Sequence, residues 1–125
     1  MEILLTGAAG FIGYHVAEAL LARGEAVIGV DNLNTYYDVG LKQARLRRLI
    51  THPRFSFHEL DVSDRSALHG VVGAHPAIRR IVHLAAQAGV RHSLVDPYAY
   101  VTANVMGHLV VQEAVFASAA INITD

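Results

Sequence analysis

An apolar run, Ile3-Leu4-Leu5-Thr6, leads directly into Gly7-Ala8-Ala9-Gly10-Phe11-Ile12-Gly13. A helical pattern of Ile12, Val16, Ala19, Leu20 and Arg23 then runs to a stop at Gly24. Strand, three spaced glycines and helix in that order leave the chain few options. The first glycine permits a tight turn, the second lets a ligand approach the backbone, and the third lets the helix pack closely. A helix N-terminus carries N–H groups without intrahelical partners and a partial positive charge, so it suits a phosphate. The glycine spacing alone is a weak signal. Its position between a strand and a helix makes it informative.

The elements that follow repeat one theme. Ala26–Val30 reads as a second strand ending at Asp31, and Asn32–Asp38 is loop-like. Leu41–Ile50 places Leu46, Leu49 and Ile50 on one helical face and closes at His52-Pro53. Phe55 to Asp61 suggests a third strand, and Asp64 or Ser63 can cap a short helix through Val72. Arg80–Leu84 is a fourth strand, and Asp96-Pro97 opens a long helix from about Tyr98. Residues 114–120 read either as more of that helix or as a fifth strand. Alternating strands and helices predict an α/β fold: a Rossmann-like doubly wound parallel sheet, truncated after four to five strands. Residues 1–125 form a single domain on this reading.

Asp31 lies eighteen residues past Gly13, at the end of the second strand. An acid about 20 residues beyond the loop is placed to accept hydrogen bonds from an adenosine ribose. It would also repel a 2′-phosphate, so NAD is expected rather than NADP.

Composition removes other classes. The chain is 53% hydrophobic and 17% charged with a formal net charge of −1, which excludes intrinsic disorder and argues against a nucleic-acid partner. Without cysteine there are no disulfides, thiolate metal sites or thiol catalysis. The eight histidines show no metal-ligand spacing, so no metal is expected. No apolar run reaches the ~18 residues of a membrane span, and the first residues lack a signal peptide's basic start. A soluble, cytoplasmic chain without a membrane partner is expected. Lys42, Arg45, Arg47, Arg48 and Arg54 form a basic stretch expected to be a solvated helix face.

These motifs resemble the extended short-chain dehydrogenase/reductase family, in particular its UDP-glucuronate 4-epimerases and neighbouring nucleotide-sugar epimerases. The likeness rests on Thr6–Gly13, on Asp31–Asp38, on His83–Arg91 and on Tyr100–Gly107 with Asn104 inside. The resemblance implies that Gly7, Gly10, Phe11, Ile12 and Gly13 line the pyrophosphate of NAD. It implies that Asp31, Asn32 and Asn34 hold the adenosine ribose or a nearby phosphate, and that Asp61 and Val62 meet adenine. Leu84, Ala85 and Ala86 would run beneath the ribose and pyrophosphate. Gln87 would line the cofactor and, with Arg91, face the substrate, while Asn104 would sit near the cofactor. The last helix would help form a homo-oligomer interface.

In that family a Tyr-x-x-x-Lys pair and a Ser or Thr carry the chemistry, oxidising the sugar at C4 to a 4-keto intermediate and reducing it again. Lys42 is the only lysine, and no tyrosine has a lysine four residues later. If residues 114–120 are a fifth strand, Ser118 matches a cofactor-contacting serine and Ala120 stands at the Ser/Thr position. No catalytic residue is therefore expected here. A UDP-sugar would bind only if the family's C-terminal substrate domain were supplied. The implied function is the NAD-binding portion of such an epimerase, inactive alone. A non-catalytic dinucleotide-binding or interaction module, or the corresponding half of a sugar dehydratase or reductase, remain the alternatives.

Overall fold

The computed structural model describes residues 2–33, 39–85, 98, 102–117 and 122–124. In chain order the elements are β1 (Glu2–Thr6), α1 (Phe11–Ala22), β2 (Ala26–Asp31), α2 (Val39–Ile50), β3 (Phe55–Glu59), α3 (Arg65–Ala74) and β4 (Ile78–His83). A π-helical turn, Thr102–Met106, runs into α4 (Gly107–Ala117), and β5 (Asn122–Thr124) follows. The five strands form one parallel sheet in the order β3-β2-β1-β4-β5. Strand order reverses between β1 and β4. Open parallel sheets bind their ligands in the crevice at such a switch point, beyond the carboxyl ends of the strands.

Register and pleat divide the core. Leu4 pairs with Ile28 and Ile81, and Thr6 pairs with Val30 and His83. Successive side chains of a strand face opposite sides. Leu4, Ile28, Val30 and Ile81 therefore pack with Leu68 and Val71 of α3 and with Val110 and Val111 of α4. Leu5 and Val27 pack on the other side with Tyr14, Ala17 and Leu21 of α1 and Leu46 and Leu49 of α2. Both faces of the sheet are covered, which explains why Ile3–Leu5 of β1 and Ala26–Val30 of β2 are continuous apolar runs rather than alternating.

One expectation shifts, and two open alternatives resolve. The buried face of α1 is Gly13, Tyr14, Ala17 and Leu21, whereas Ile12 and Ala19 are exposed. Small residues at 13 and 17 let the helix lie close to its neighbours, so the larger Ile12 turns outward. Residues 114–117 continue α4, and the fifth strand comes later, pairing with Arg80–Val82. Asp64, rather than Ser63, caps α3 by accepting a hydrogen bond from the Ala67 N–H at 3.1 Å.

Candidate functional site

The glycine loop sits at the carboxyl end of β1, beside the switch point. Gly7 has φ +74°, a left-handed conformation that favours glycine. A Cβ there would also come within 2.9 Å of the backbone at Leu84 and Ala85. The Gly7 and Ala8 N–H groups donate to the Val30 carbonyl, which ties the loop to β2. At Gly13 a Cβ would fall 1.9 Å from the Gly7 carbonyl oxygen, so the third glycine lets α1 press on the loop itself. At Gly10 a Cβ would meet only that same oxygen, at 3.3 Å. The space beyond Gly10 is open, as a ligand approaching the backbone requires.

The start of α1 fits an anion. Gly10 is its N-cap, no side chain caps it, and its first turn carries no acid. The first-turn N–H groups are left for an outside acceptor. Phe11 and Ile12 flank them and are 66% and 64% exposed. Arg45 of α2 donates to the Ala9 carbonyl at 3.1 Å, and its guanidinium lies 5.8 Å from the centroid of the Phe11 ring. These groups suit a dinucleotide's pyrophosphate.

Asp31 ends β2 and is 5% exposed. Its Oδ2 accepts from the Ala9 N–H at 3.1 Å, and its Oδ1 accepts from the Leu33 N–H at 2.8 Å. Leu33 adopts φ +52° at this point, unusual for leucine, and the Asp31 carboxylate is what its N–H meets. The Lys42 Nζ donates to the same Oδ1 at 3.2 Å. Lys42 is only 8% exposed. Arg48, two turns further along α2, reaches the Tyr14 hydroxyl at 3.4 Å. The basic stretch is therefore no simple solvated face, because Lys42, Arg45 and Arg48 clasp β2, the glycine loop and α1. The sequence held a signal for this. Lys42 precedes the buried Leu46 and Leu49 by four and seven residues, so it lies on the apolar face, where a cation needs a counter-ion.

Thr6 anchors the floor of the site and is fully buried. Its Oγ1 accepts from the Leu84 N–H at 2.9 Å and the Ala85 N–H at 3.1 Å. The same oxygen lies 2.6 Å from His83 Nδ1. A hydroxyl has two acceptor positions and one proton. Both acceptor positions are used, so the proton goes to His83 Nδ1 and His83 is neutral with its own proton on Nε2. Burial, and then the neighbouring His108 ring, push the His83 pKa below 6.5, in agreement with that assignment.

The remaining expected residues divide in two. Asn32 is exposed just after β2. Asp61 is exposed and its Oδ1 accepts from the Ser63 N–H and hydroxyl, closing a turn. Val62 is buried against Gly107, where a Cβ would meet its side chain at 2.7 Å. Leu84 and Ala85 follow β4 at the crevice, and Asn104 is half-buried in the π-helical turn. Asn34, Ala86, Gln87 and Arg91 lie outside the described residues, as do Ser118 and Ala120. Among the described residues no group of three or more His, Asp or Glu side chains could hold a metal ion, and no helix is long and apolar enough to cross a membrane.

The family model described as GDP-mannose 4,6 dehydratase matches residues 4–123. The chain belongs to that family. Within this nucleotide-sugar epimerase/dehydratase group of the short-chain dehydrogenases, a UDP-glucuronate 4-epimerase of Thermodesulfobacterium geofontis is 48% identical over 106 residues, covering 85% of this chain and 32% of the relative. A Bacillus cereus UDP-glucuronic acid 4-epimerase, solved with UDP-glucuronic acid and NAD, superposes with a TM-score of 0.84 at 35% identity, covering 98% of this chain and 38% of that one. A Thermus thermophilus UDP-glucose 4-epimerase, solved with NAD, gives a TM-score of 0.81 at 32% identity, covering 98% of this chain and 36% of that one. The chain spans between about a quarter and two fifths of the length of the curated relatives it matches.

Proposed function

We propose that this chain is the NAD-binding portion of a nucleotide-sugar 4-epimerase of the UDP-glucuronate type. The observation that carries the reading is the convergence of an uncapped helix N-terminus, a glycine loop and Asp31 at the switch point of the sheet. The Gly10–Gly13 backbone would hold the pyrophosphate, with Phe11 and Ile12 supplying N–H groups at the start of α1. Asp31, with Asn32 and Asn34, would hold the adenosine ribose, and Asp61 and Val62 the adenine edge. Leu84, Ala85 and Ala86 would form the floor, with Asn104 nearby and Gln87 and Arg91 toward the sugar. When bound, the nicotinamide supplies the hydride acceptor and donor for the sugar C4.

Turnover needs a base that these residues do not include. The only lysine is buried against Asp31 and has no tyrosine four residues before it. The chain alone is therefore proposed to bind cofactor without epimerising. A UDP-sugar would engage with the part of the relatives that this chain does not span. The match to a dehydratase model favours the corresponding half of a sugar dehydratase as the second reading. Val105, Met106 and Leu109 form an exposed apolar stripe from the π-helical turn into α4, which supports self-association through this helix.

Two measurements test the reading. NAD should be released on denaturing the purified chain, or added NAD should raise its melting temperature, and NADP should do so less. Absence of both binding and stabilisation by NAD sinks the proposal, and sugar epimerisation by the chain alone sinks the assignment of inactivity.

A further inference from the structure

A second cluster lies on the α3 side of the sheet. Val30 pairs with both Thr6 and His58, and Leu4 and Val30 pack against α3. Side chains alternate along a strand, so Glu2 and His58 share that face. His75 ends α3, three residues before β4 begins. Its backbone is held on both sides. Its N–H donates to the Val72 carbonyl at 3.3 Å, and its carbonyl accepts from the Ile78 N–H at 3.1 Å. The Nε2 atoms of His58 and His75 stand 3.4 Å apart, with the ring planes at 73°. The Glu2 carboxylate lies 3.7 Å from the other nitrogen of His75, Nδ1. All three side chains are half-buried.

That separation is long for a hydrogen bond from an N–H, which is commonest at about 2.9–3.0 Å. In a tetrahedral zinc centre, Zn–N bonds of about 2.0–2.1 Å set two nitrogens about 3.3–3.4 Å apart, and the pair already stands at that spacing. A carboxylate beside Nδ1 keeps the ring proton there and leaves the Nε2 lone pair for a metal. We propose that His58 and His75 bind a divalent transition-metal ion of the zinc, nickel and copper class through their Nε2 atoms, with Glu2 orienting His75 and solvent completing the coordination. Imidazole suits these ions, whereas magnesium and calcium take oxygen ligands. Seventeen positions separate the two histidines, so no sequence spacing marks the pair. Glu2 and His75 lie at the amino ends of β1 and β4, opposite the crevice at the carboxyl ends. The ion is therefore a clip that ties the corner between α3 and β4 to β3, not a catalytic centre.

Calorimetry with zinc chloride on the purified, chelator-treated chain tests this. One ion per chain should bind with a Kd of roughly 1–200 µM, since two ligands supply about half the binding free energy of a four-ligand zinc site. His58→Gln and His75→Gln should each push the Kd beyond roughly 1 mM, and Glu2→Gln should raise it roughly 10-fold. His15→Gln, at an exposed histidine of α1, should leave it unchanged, and magnesium chloride should not bind. Zinc should also shift the imidazole proton resonances of His58 and His75 together in the wild-type chain, a readout that does not depend on any variant folding. At ten times the Kd, zinc should raise the melting temperature by roughly 5 °C. A wild-type chain that does not bind zinc, binding that survives both histidine variants, or zinc that shifts other histidines and not this pair would overturn the proposal. Zinc bound at the pair without a rise in melting temperature would overturn its role as a clip, and an unchanged affinity in Glu2→Gln would overturn the orienting role of Glu2.

Discussion

Gly13→Ala tests the glycine with the least room for a side chain among the described residues. The added Cβ would lie 1.9 Å from the Gly7 carbonyl oxygen, 2.8 Å from its carbon and 3.2 Å from the Ala8 Cα. All three are backbone atoms, so no rotamer change relieves the clash. The first turn of α1 must retreat by roughly 1 Å to restore ordinary contact. Overpacking of this kind costs about 1–3 kcal/mol, against a helix-propensity gain of at most about 1 kcal/mol for replacing glycine by alanine. A net loss of about 2 kcal/mol corresponds to a melting temperature lower by roughly 8 °C for a domain of this size. Gly70→Ala in α3 is the matched control, since a Cβ there has nothing within 4 Å. It should raise stability by about 0.5–1 kcal/mol. Thermal melts followed by circular dichroism decide the matter. If Gly13→Ala melts at or above wild type, the reasoning that this glycine exists for backbone contact fails.

Other outcomes follow from the same contacts. Asp31→Asn strands the buried Lys42 ammonium and should cost about 3–5 kcal/mol in denaturant titration, with Asp31→Asn/Lys42→Met recovering much of the loss. Thr6→Val removes the acceptor of two backbone N–H groups and the donor to His83. It should cost about 3 kcal/mol, whereas Thr6→Ser should cost under about 1 kcal/mol. His83 has a lowered pKa in the fold, so the unfolded chain takes up its proton first as pH falls. Its contribution to stability is complete above pH 6.5 and is lost as the pH drops from there through the folded pKa. His83→Asn, which keeps an acceptor for the Thr6 hydroxyl, should flatten that dependence. Leu109→Glu should abolish the concentration-dependent association expected in sedimentation; a wild-type chain that stays monomeric at high concentration would remove α4 as an interface.

Much of this arrangement was legible in the residues. The glycines were readable because a loop between strand and helix has few solutions, and Asp31 because it ends the next strand. The alternation of elements was readable because burial on both faces makes the central runs of β1 and β2 continuously apolar. Less legible were contacts made between elements. Lys42 looked like one more cation in a basic run, and only the geometry of α2 against β2 shows its carboxylate partner. Thr6 looked like the last residue of a strand, yet its hydroxyl bonds groups nearly eighty positions away. The buried face of α1 was read one residue too early, because Ile12 outweighs Gly13 in hydropathy while steric room decides which of them turns inward. Residues 114–117 carry apolar side chains compatible with either period, so the residues alone leave helix and strand open, and the chain continues α4 through them.

The bonds from Thr6 to Leu84 and Ala85 also bear on how the domain assembles. β1 meets β2 across a short α1 crossover, but it meets β4 only after more than seventy residues have been made. Loop-closure entropy delays such pairings relative to local ones. During synthesis the β1-α1-β2 unit can form its glycine turn early, while the Thr6 hydroxyl and the inner edge of β1 wait for β4. That exposed edge is the stretch most open to wrong pairing, and cofactor cannot protect it, since the floor of the crevice does not yet exist. Mutations at Thr6 or His83 should therefore lower the yield of folded protein more than their equilibrium cost implies.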